Sequence, residues 1–171
     1  MPANQNHALD VIAIGRSSVD LYGQQIGSRL EDIATFSKSV GGCPANIAVG
    51  TARLGLKSGL ITGVGAEQMG RFIIEQCARE GVATQGIKID KERLTALVLL
   101  AVEDEGVSPM IFYRPDCADM AITEDDVDEA FVRSSKSVLV SGTHFSRPNT
   151  AAAQLKAMRI AKANGGKVVF D

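Results

Sequence analysis

The chain of 171 residues sits at the upper end of a single ordinary domain, with 45% apolar and 22% charged residues. That balance excludes a disordered tail, a collagen-like repeat and a coiled coil, and a chain of this length buries about 70% of its extended surface. Eighteen Lys and Arg against twenty Asp and Glu leave a net charge of −2, and there are two Tyr, six Phe and no Trp, so neither nucleic acid nor an anionic membrane is favoured as a partner.

Asp10 to Gly15 is a short apolar run closed by glycine, which predicts a buried strand. Val19 to Val40 is mixed and reads as a loop with one or two exposed strands. Gly41-Gly42-Cys43-Pro44 opens a helix, because proline suits a first turn whose N–H would be unpaired anyway. The helix runs to about Leu54, stops at Gly55, and carries Ile47, Ala48, Ala52 and Leu54 at helical spacing. Leu60 to Gly65 is a second core strand, and Glu67 to Glu80 an amphipathic helix with Met69, Phe72, Ile73 and Cys77 on one face. Gly86 to Asp90 is a short strand. Thr95–Val102 and Met110–Tyr113 flank the acidic turn Glu103-Asp104-Glu105-Gly106 and predict a hairpin. Thr123-Glu124-Asp125-Asp126 resembles a capping box opening a short helix with Val127, Ala130 and Phe131. Val138 to Gly142 is a further strand. Asn149 is expected to cap a helix through Lys162, closed by Gly165-Gly166, before a last strand, Lys167 to Asp171.

Alternation of this kind predicts an α/β fold with a mostly parallel sheet and helices on both faces. The segments near 16–40 and 95–115 break the alternation and are expected to meet as a small flap. A chain ending on the apolar strand Val168-Val169-Phe170 leaves that strand without a covering helix, so the chain looks truncated. Three cysteines at 43, 77 and 117 form neither a disulfide framework nor a zinc motif, and read as buried free thiols in a reducing cytosol. Met1 to Asp10 has no apolar signal core, and Ala96 to Val102 is too short to span a bilayer, so a cytoplasmic protein is expected.

In open α/β sheets ligands gather outside the carboxyl ends of the strands. Asp20 follows the first strand and is suited to accept hydrogen bonds from sugar hydroxyls, although a solvated loop carboxylate is the plainer reading. Gly41 and Gly42 let a ligand approach the backbone before a helix N-terminus, and the Asn46 amide both donates and accepts; an ordinary glycine-rich turn is equally compatible. Arg114 could clamp a carboxylate bidentately, against a solvated hairpin arginine. Arg16 is a further anion contact or a solvated loop arginine, while His7 lies in a polar tail and His144 reads as structural or exposed. Gly63-Val64-Gly65 starts like a dinucleotide fingerprint, but Gln68 stands where the third glycine belongs, and no P-loop occurs.

Gly41-Gly42-Cys43-Pro44-Ala45-Asn46-Ile47-Ala48 with Ala52-Arg53-Leu54-Gly55 resembles the N-terminal signature of the ribokinase-like (PfkB) carbohydrate kinases. Gly63-Val64-Gly65 with Gly70 is similar to the family's G-x-G-x-D-x-x-G stretch, with Glu67 where Asp is common. Tyr113-Arg114-Pro115 and Cys117-Ala118-Asp119 look most like the sugar-acid kinases of that family. The resemblance runs from about Asp10 onward. It implies a ribokinase-like, Rossmann-like fold with a small β lid near 16–40 and 95–115, and residues 1–171 forming the N-terminal part of the kinase domain. It also implies ATP- and Mg2+-dependent transfer of a phosphoryl group to the terminal hydroxyl of a keto-deoxy sugar acid. Asp20, Gly41, Gly42 and Asn46 would hold hydroxyls, Arg114 would reach from the lid to the acid or keto end, and a homodimer could form through the lid.

Asp171 resembles the first residue of the family's D-x-N-x-R segment and marks a nucleotide or magnesium neighbourhood. The N-x-x-E stretch and the G-A-G-D segment with its general base do not occur, so no catalytic residue is assigned and no metal ligand is named. Phosphoryl transfer depends on positioning and charge neutralisation at the γ-phosphate, and the expectation is that these residues alone do not turn over. Two alternatives stay open: a non-catalytic sugar-binding module and a nicotinamide-dependent oxidoreductase.

Overall fold

The computed structural model of the protein describes residues 7–103 and 108–171. The apolar runs become a five-stranded parallel sheet in the order β5-β4-β1-β8-β9. Its strands are β1 (Val11–Ile14), β4 (Ser58–Gly65), β5 (Ala83–Asp90), β8 (Ser137–Val140) and β9 (Lys167–Phe170). All four residues of β1 are buried, as a central strand covered on both faces requires. Val11 pairs with Ser58 of β4 on one side and Ile12 with Val138 of β8 on the other.

Alternation along β1 builds two cores. Ile12 and Ile14 point to one face, against Phe131 and Val132 of α3 (Glu129–Arg133) and Ala153, Ala157 and Ile160 of α4 (Pro148–Ala163). Ala13 points to the other, against Ala45 and Ala48 of α1 (Cys43–Arg53) and Ile73 and Cys77 of α2 (Gln68–Arg79). Each fully buried Ile contributes about 1.5–3 kcal/mol. Alanines lie where α1 meets the sheet, and larger side chains where α2 does.

The segments that break the alternation pair into a second sheet, β3-β2-β6-β7, made of β2 (Ser18–Gly23), β3 (Phe36–Gly41), β6 (Leu97–Leu100) and β7 (Met110–Tyr113). β2 runs antiparallel to β3 and parallel to β6, and β6 antiparallel to β7. In the expected acidic turn, Asp104-Glu105-Gly106 lies outside the described residues. Among the described residues no helix is long and apolar enough to cross a membrane.

Several local expectations are corrected. The capping box at Thr123 exists, with the Thr123 N–H donating to Asp126 at 2.8 Å, but it closes a single 3-10 turn. Asp128 then caps α3 by accepting from Ala130 and Phe131 N–H. Leu54, expected on the apolar face of α1, is 84% exposed because it stands past the last turn. β5 begins at Ala83 rather than Gly86. Cys43, expected buried, is exposed, while Cys77 and Cys117 are buried.

Asn149 is not the cap of α4. Pro148 starts the helix, and the Asn149 amide reaches sideways to donate to the Met120 and Ile122 carbonyls, each at 2.9 Å. It therefore clamps the 120–122 segment onto α4. Asn149→Asp, harmless at a helix cap, is expected to destabilise by about 2 kcal/mol, because its carboxylate faces two carbonyl oxygens that lose their donor. Urea unfolding checks this; an unchanged midpoint would restore the capping role.

Candidate functional site

The carboxyl end of β1 turns directly into β2, which places Arg16, Ser17 and Asp20 beside the start of α1. Thr62 donates to the Ser17 hydroxyl at 3.0 Å and ties this turn to β4. Gly42 has φ +93, and a Cβ there would lie 2.6 Å from the Arg16 carbonyl oxygen. Only glycine lets the two backbones approach so closely. Gly41 faces the Asp20 side chain, and a Cβ on it would overlap the carboxylate. The Ser18 hydroxyl donates to Asp20 Oδ1 at 2.7 Å and fixes its rotamer.

Strand alternation decides what shares a face with Asp20. In the second sheet Asp20 stands opposite Ser39 and Val98, and Val98 opposite Phe112. Arg114, two residues past Phe112, lies over that ring at 4.0 Å. Asp20, Ser39, Phe112 and Arg114 therefore share one face. Arg114 is half-buried rather than solvated. Burial, and then the neighbouring Arg16 guanidinium, hold its pKa below the usual arginine range, while Asp119 and Asp20 pull the other way. Asn46 is exposed in the first turn of α1, its N–H donating to the Gly42 carbonyl at 2.9 Å.

Arg16 also departs from a solvated loop arginine. Its Nε donates to Asp119 Oδ2 at 2.6 Å, with side-chain exposures of 16% and 0%. Asp119 is the polar residue of this region that sequence reasoning missed as a site member. The local stretch Cys117-Ala118-Asp119-Met120 gives no sign of it, and only its similarity to sugar-acid kinases brought it to notice. His144 is fully buried beneath it, Nε2 lying 2.7 Å from the Asp119 carbonyl. His7 stays peripheral, against the Arg133 carbonyl at 3.3 Å.

Asp171, beyond β9, comes to the same end of the sheet. Its N–H donates to Val140 at 3.0 Å, and its carbonyl accepts from Gly142 at 2.7 Å. The Cys43 thiol donates to its carboxylate at 2.7 Å. Partial desolvation and that hydrogen bond push the thiol up to about 11, so it stays protonated at neutral pH. Among the described residues no group of three His, Cys, Asp or Glu side chains could hold a metal ion. Asp171 contributes one carboxylate, and these residues do not by themselves fit a magnesium–nucleotide site.

A cavity of about 810 Å³ lies on the opposite face of the second sheet, lined by Leu21, Leu97 and Tyr113 together with Glu67, Met69 and Leu94. Neither Asp20, Gly41, Asn46 nor Arg114 lines it, so this apolar hollow is separate from the polar cluster. Glu67, the departure from the family's aspartate, sits at its rim. It caps α2 and accepts from the Thr95 N–H at 3.0 Å, at the root of β6. Burial alone raises the Glu67 pKa, but hydrogen bonds from Thr95, Met69 and Gly70 outweigh it and hold it below the usual value.

A family model described as pfkB family carbohydrate kinase matches residues 8–171. A 5-dehydro-2-deoxygluconokinase of Halalkalibacterium halodurans is 42% identical over 163 residues, covering 95% of this chain and 49% of that protein. An uncharacterized sugar kinase of Pyrococcus horikoshii, solved in complex with ATP, superposes with a TM-score of 0.84 at 30% identity, over 94% of this chain and 52% of its own. An E. coli protein described as a ribokinase II, solved with ATP and Mg2+, gives 0.87 at 26% identity over 95% and 52%. The chain spans about half the length of the curated relatives it matches.

A carboxylate whose folded pKa is depressed stabilises the fold fully above its unfolded pKa, and that contribution is lost as pH falls through the folded value. Glu67→Gln is therefore expected to flatten the acid side of the stability curve. Urea midpoints at pH 7, 5 and 4 should fall further for the native chain than for the variant. Parallel curves would contradict the hydrogen-bonding assignment.

Proposed function

The chain belongs to the pfkB family of carbohydrate kinases, and on that premise we propose that the protein it represents phosphorylates the terminal hydroxyl of 5-dehydro-2-deoxy-D-gluconate with ATP and Mg2+. The observation that carries this reading is the convergence of Asp20 and Arg114 on one face of the second sheet, above Gly41 and Gly42. A carboxylate that accepts from hydroxyls and a guanidinium that pairs with a carboxylate are the two chemistries a sugar acid needs. The name borne by curated relatives at 36–42% identity supports the same substrate.

In this reading the second sheet is the lid of residues 16–40 and 95–115, and residues 1–171 are the N-terminal part of a kinase domain. Asp20, Gly41, Gly42 and Asn46 hold the hydroxyl end of the substrate, and Arg114 its acid or keto end. Asp171 borders the nucleotide and magnesium. The reaction belongs in the cytoplasm, where ATP is supplied. The strand β7, with Met110, Ile111, Phe112 and Tyr113 all exposed, offers the lid surface for a homodimer.

The alternatives separate on chemistry. Membership of a kinase family sets the nicotinamide reading aside. The binding-module reading is favoured for the isolated chain by two observations: the described residues complete no metal site, and the family's general-base segment does not occur in the sequence. Incubation of the 171-residue chain with ATP, Mg2+ and 5-dehydro-2-deoxy-D-gluconate is expected to give no phosphorylated sugar acid by 31P NMR. In an 15N-labelled sample the sugar acid should shift amide resonances around Asp20, Gly41, Gly42 and Asn46. Turnover would overturn the inactivity, and shifts confined to the Leu21–Glu67 cavity would overturn the site.

A further inference from the structure

The ion pair between Arg16 and Asp119 is more enclosed than a loop needs. Asp119 is wholly buried and cannot follow its partner, because its own carbonyl is held by His144 Nε2 at 2.7 Å. His144 is in turn fixed from both ends: its N–H donates to Ser141 at 3.1 Å, and its carbonyl accepts from the Thr150 hydroxyl. Burial keeps the ring neutral, so Nε2 donates. The guanidinium must therefore lie where the carboxylate directs it.

The contact is also incomplete. Arg16 uses Nε for Asp119 Oδ2, while Arg16 Nη2 and Asp119 Oδ1 are buried without a hydrogen-bond partner among the described residues. A buried, unused guanidinium donor is rare unless a ligand or ordered water completes it. Arg114 approaches from the lid closely enough for the two guanidiniums to disfavour each other, and it makes no ion pair among the described residues. Asp119 offsets the Arg16 charge and Asp20 lies near enough to act on Arg114, so what the two guanidiniums lack is acceptors: among the described residues Arg16 Nη2 has none, and Arg114 is held only over the Phe112 ring. A ligand carboxylate supplies two charged acceptors to such donors, where a neutral polyol supplies single uncharged ones.

We infer that Arg16 is a specificity-determining residue that reads the carboxylate of the substrate together with Arg114, and that Asp119 and His144 are its positioning residues. This rests on the sugar-acid reading above. It divides the labour in the site: Asp20 reads hydroxyls, and the Arg16–Arg114 pair reads charge. Lysine at 16 could still neutralise Asp119, but it lacks the planar fork that bonds one carboxylate while presenting a second nitrogen to another.

The test titrates the 171-residue chain with 5-dehydro-2-deoxy-D-gluconate and with its methyl ester, which keeps every hydroxyl and the ketone but loses the charge. The native chain is expected to favour the acid by about tenfold or more, as a charge-assisted bidentate contact implies. Arg16→Lys and Asp119→Asn should each collapse that preference and leave ester affinity unchanged; a merely structural role would weaken both ligands together. Asp20→Asn should weaken both ligands equally. Circular dichroism verifies that the variants fold, and Asp119→Asn carries the test if Arg16→Lys does not. If Asp20→Asn behaves as expected while both other variants keep the preference for acid, the inference on Arg16 fails and the sugar reading stands. If the native chain binds neither compound, or both alike, the sugar-acid reading fails and the inference with it.

Discussion

Everything at the ligand end of this fold depends on how closely the start of α1 can approach the turn between β1 and β2. Gly42, at φ +93, brings the helix entrance against the Arg16 carbonyl and the Ser17 Cα, and Gly41 leaves the space that the Asp20 carboxylate fills. A side chain at Gly42 would push the helix start away from the turn after β1, and one at Gly41 would displace the Asp20 carboxylate. Either change would alter the spacing between Asp20 and the start of α1. The two glycines are thus geometric requirements rather than flexible joints. The short serine contacts around them, Ser18 to Asp20 and Thr62 to Ser17, hold the turn still.

A second constraint is electrostatic. Placing Asp119 out of water is tolerable only because Arg16 lies against it, and breaking such a buried pair costs about 3–5 kcal/mol. The same pair leaves Arg16 Nη2 without a hydrogen-bond partner among the described residues, so a contact needed for stability also holds a spare donor in place. Asn149 serves this arrangement from below by fixing the Met120 and Ile122 carbonyls to α4. Glu67 does so from the side, by tying the root of β6 to the start of α2. The second sheet carries Asp20 on β2, Gly41 at the end of β3 and Arg114 just past β7, while the five-stranded sheet and its helices hold Asp119, His144 and the start of α1 against it.

Much of this was legible in the sequence, where short-range rules operate. The run Val11-Ile12-Ala13-Ile14 is apolar throughout because β1 is covered on both faces, and Gly42 with Pro44 marked the start of α1 to within a residue. Val19 to Val40 and Thr95 to Tyr113 stood out because they did not fit an alternating α/β pattern, and they form the second sheet. What escaped was set by distant partners. Arg16 looked like a solvated loop arginine because the carboxylate that buries it is 103 residues away. Asn149 looked like a helix cap because Asn favours such positions, yet its amide is committed to carbonyls 27 and 29 residues back. Cys43 looked like a buried thiol because the three cysteines match no disulfide or zinc pattern, whereas its place at the first position of α1 leaves it exposed.

The most direct measurement compares affinity for 5-dehydro-2-deoxy-D-gluconate in Gly41→Ala with that in Gly50→Ala. The second glycine lies on α1 with open space around it, so alanine there leaves the cleft alone and favours the helix. The account predicts that Gly41→Ala folds yet loses about tenfold or more in affinity, because the displaced Asp20 forfeits a charged hydrogen bond to the sugar, while Gly50→Ala binds as the native chain does. Equal binding by both variants would contradict the claim that the close approach at Gly41 builds the site.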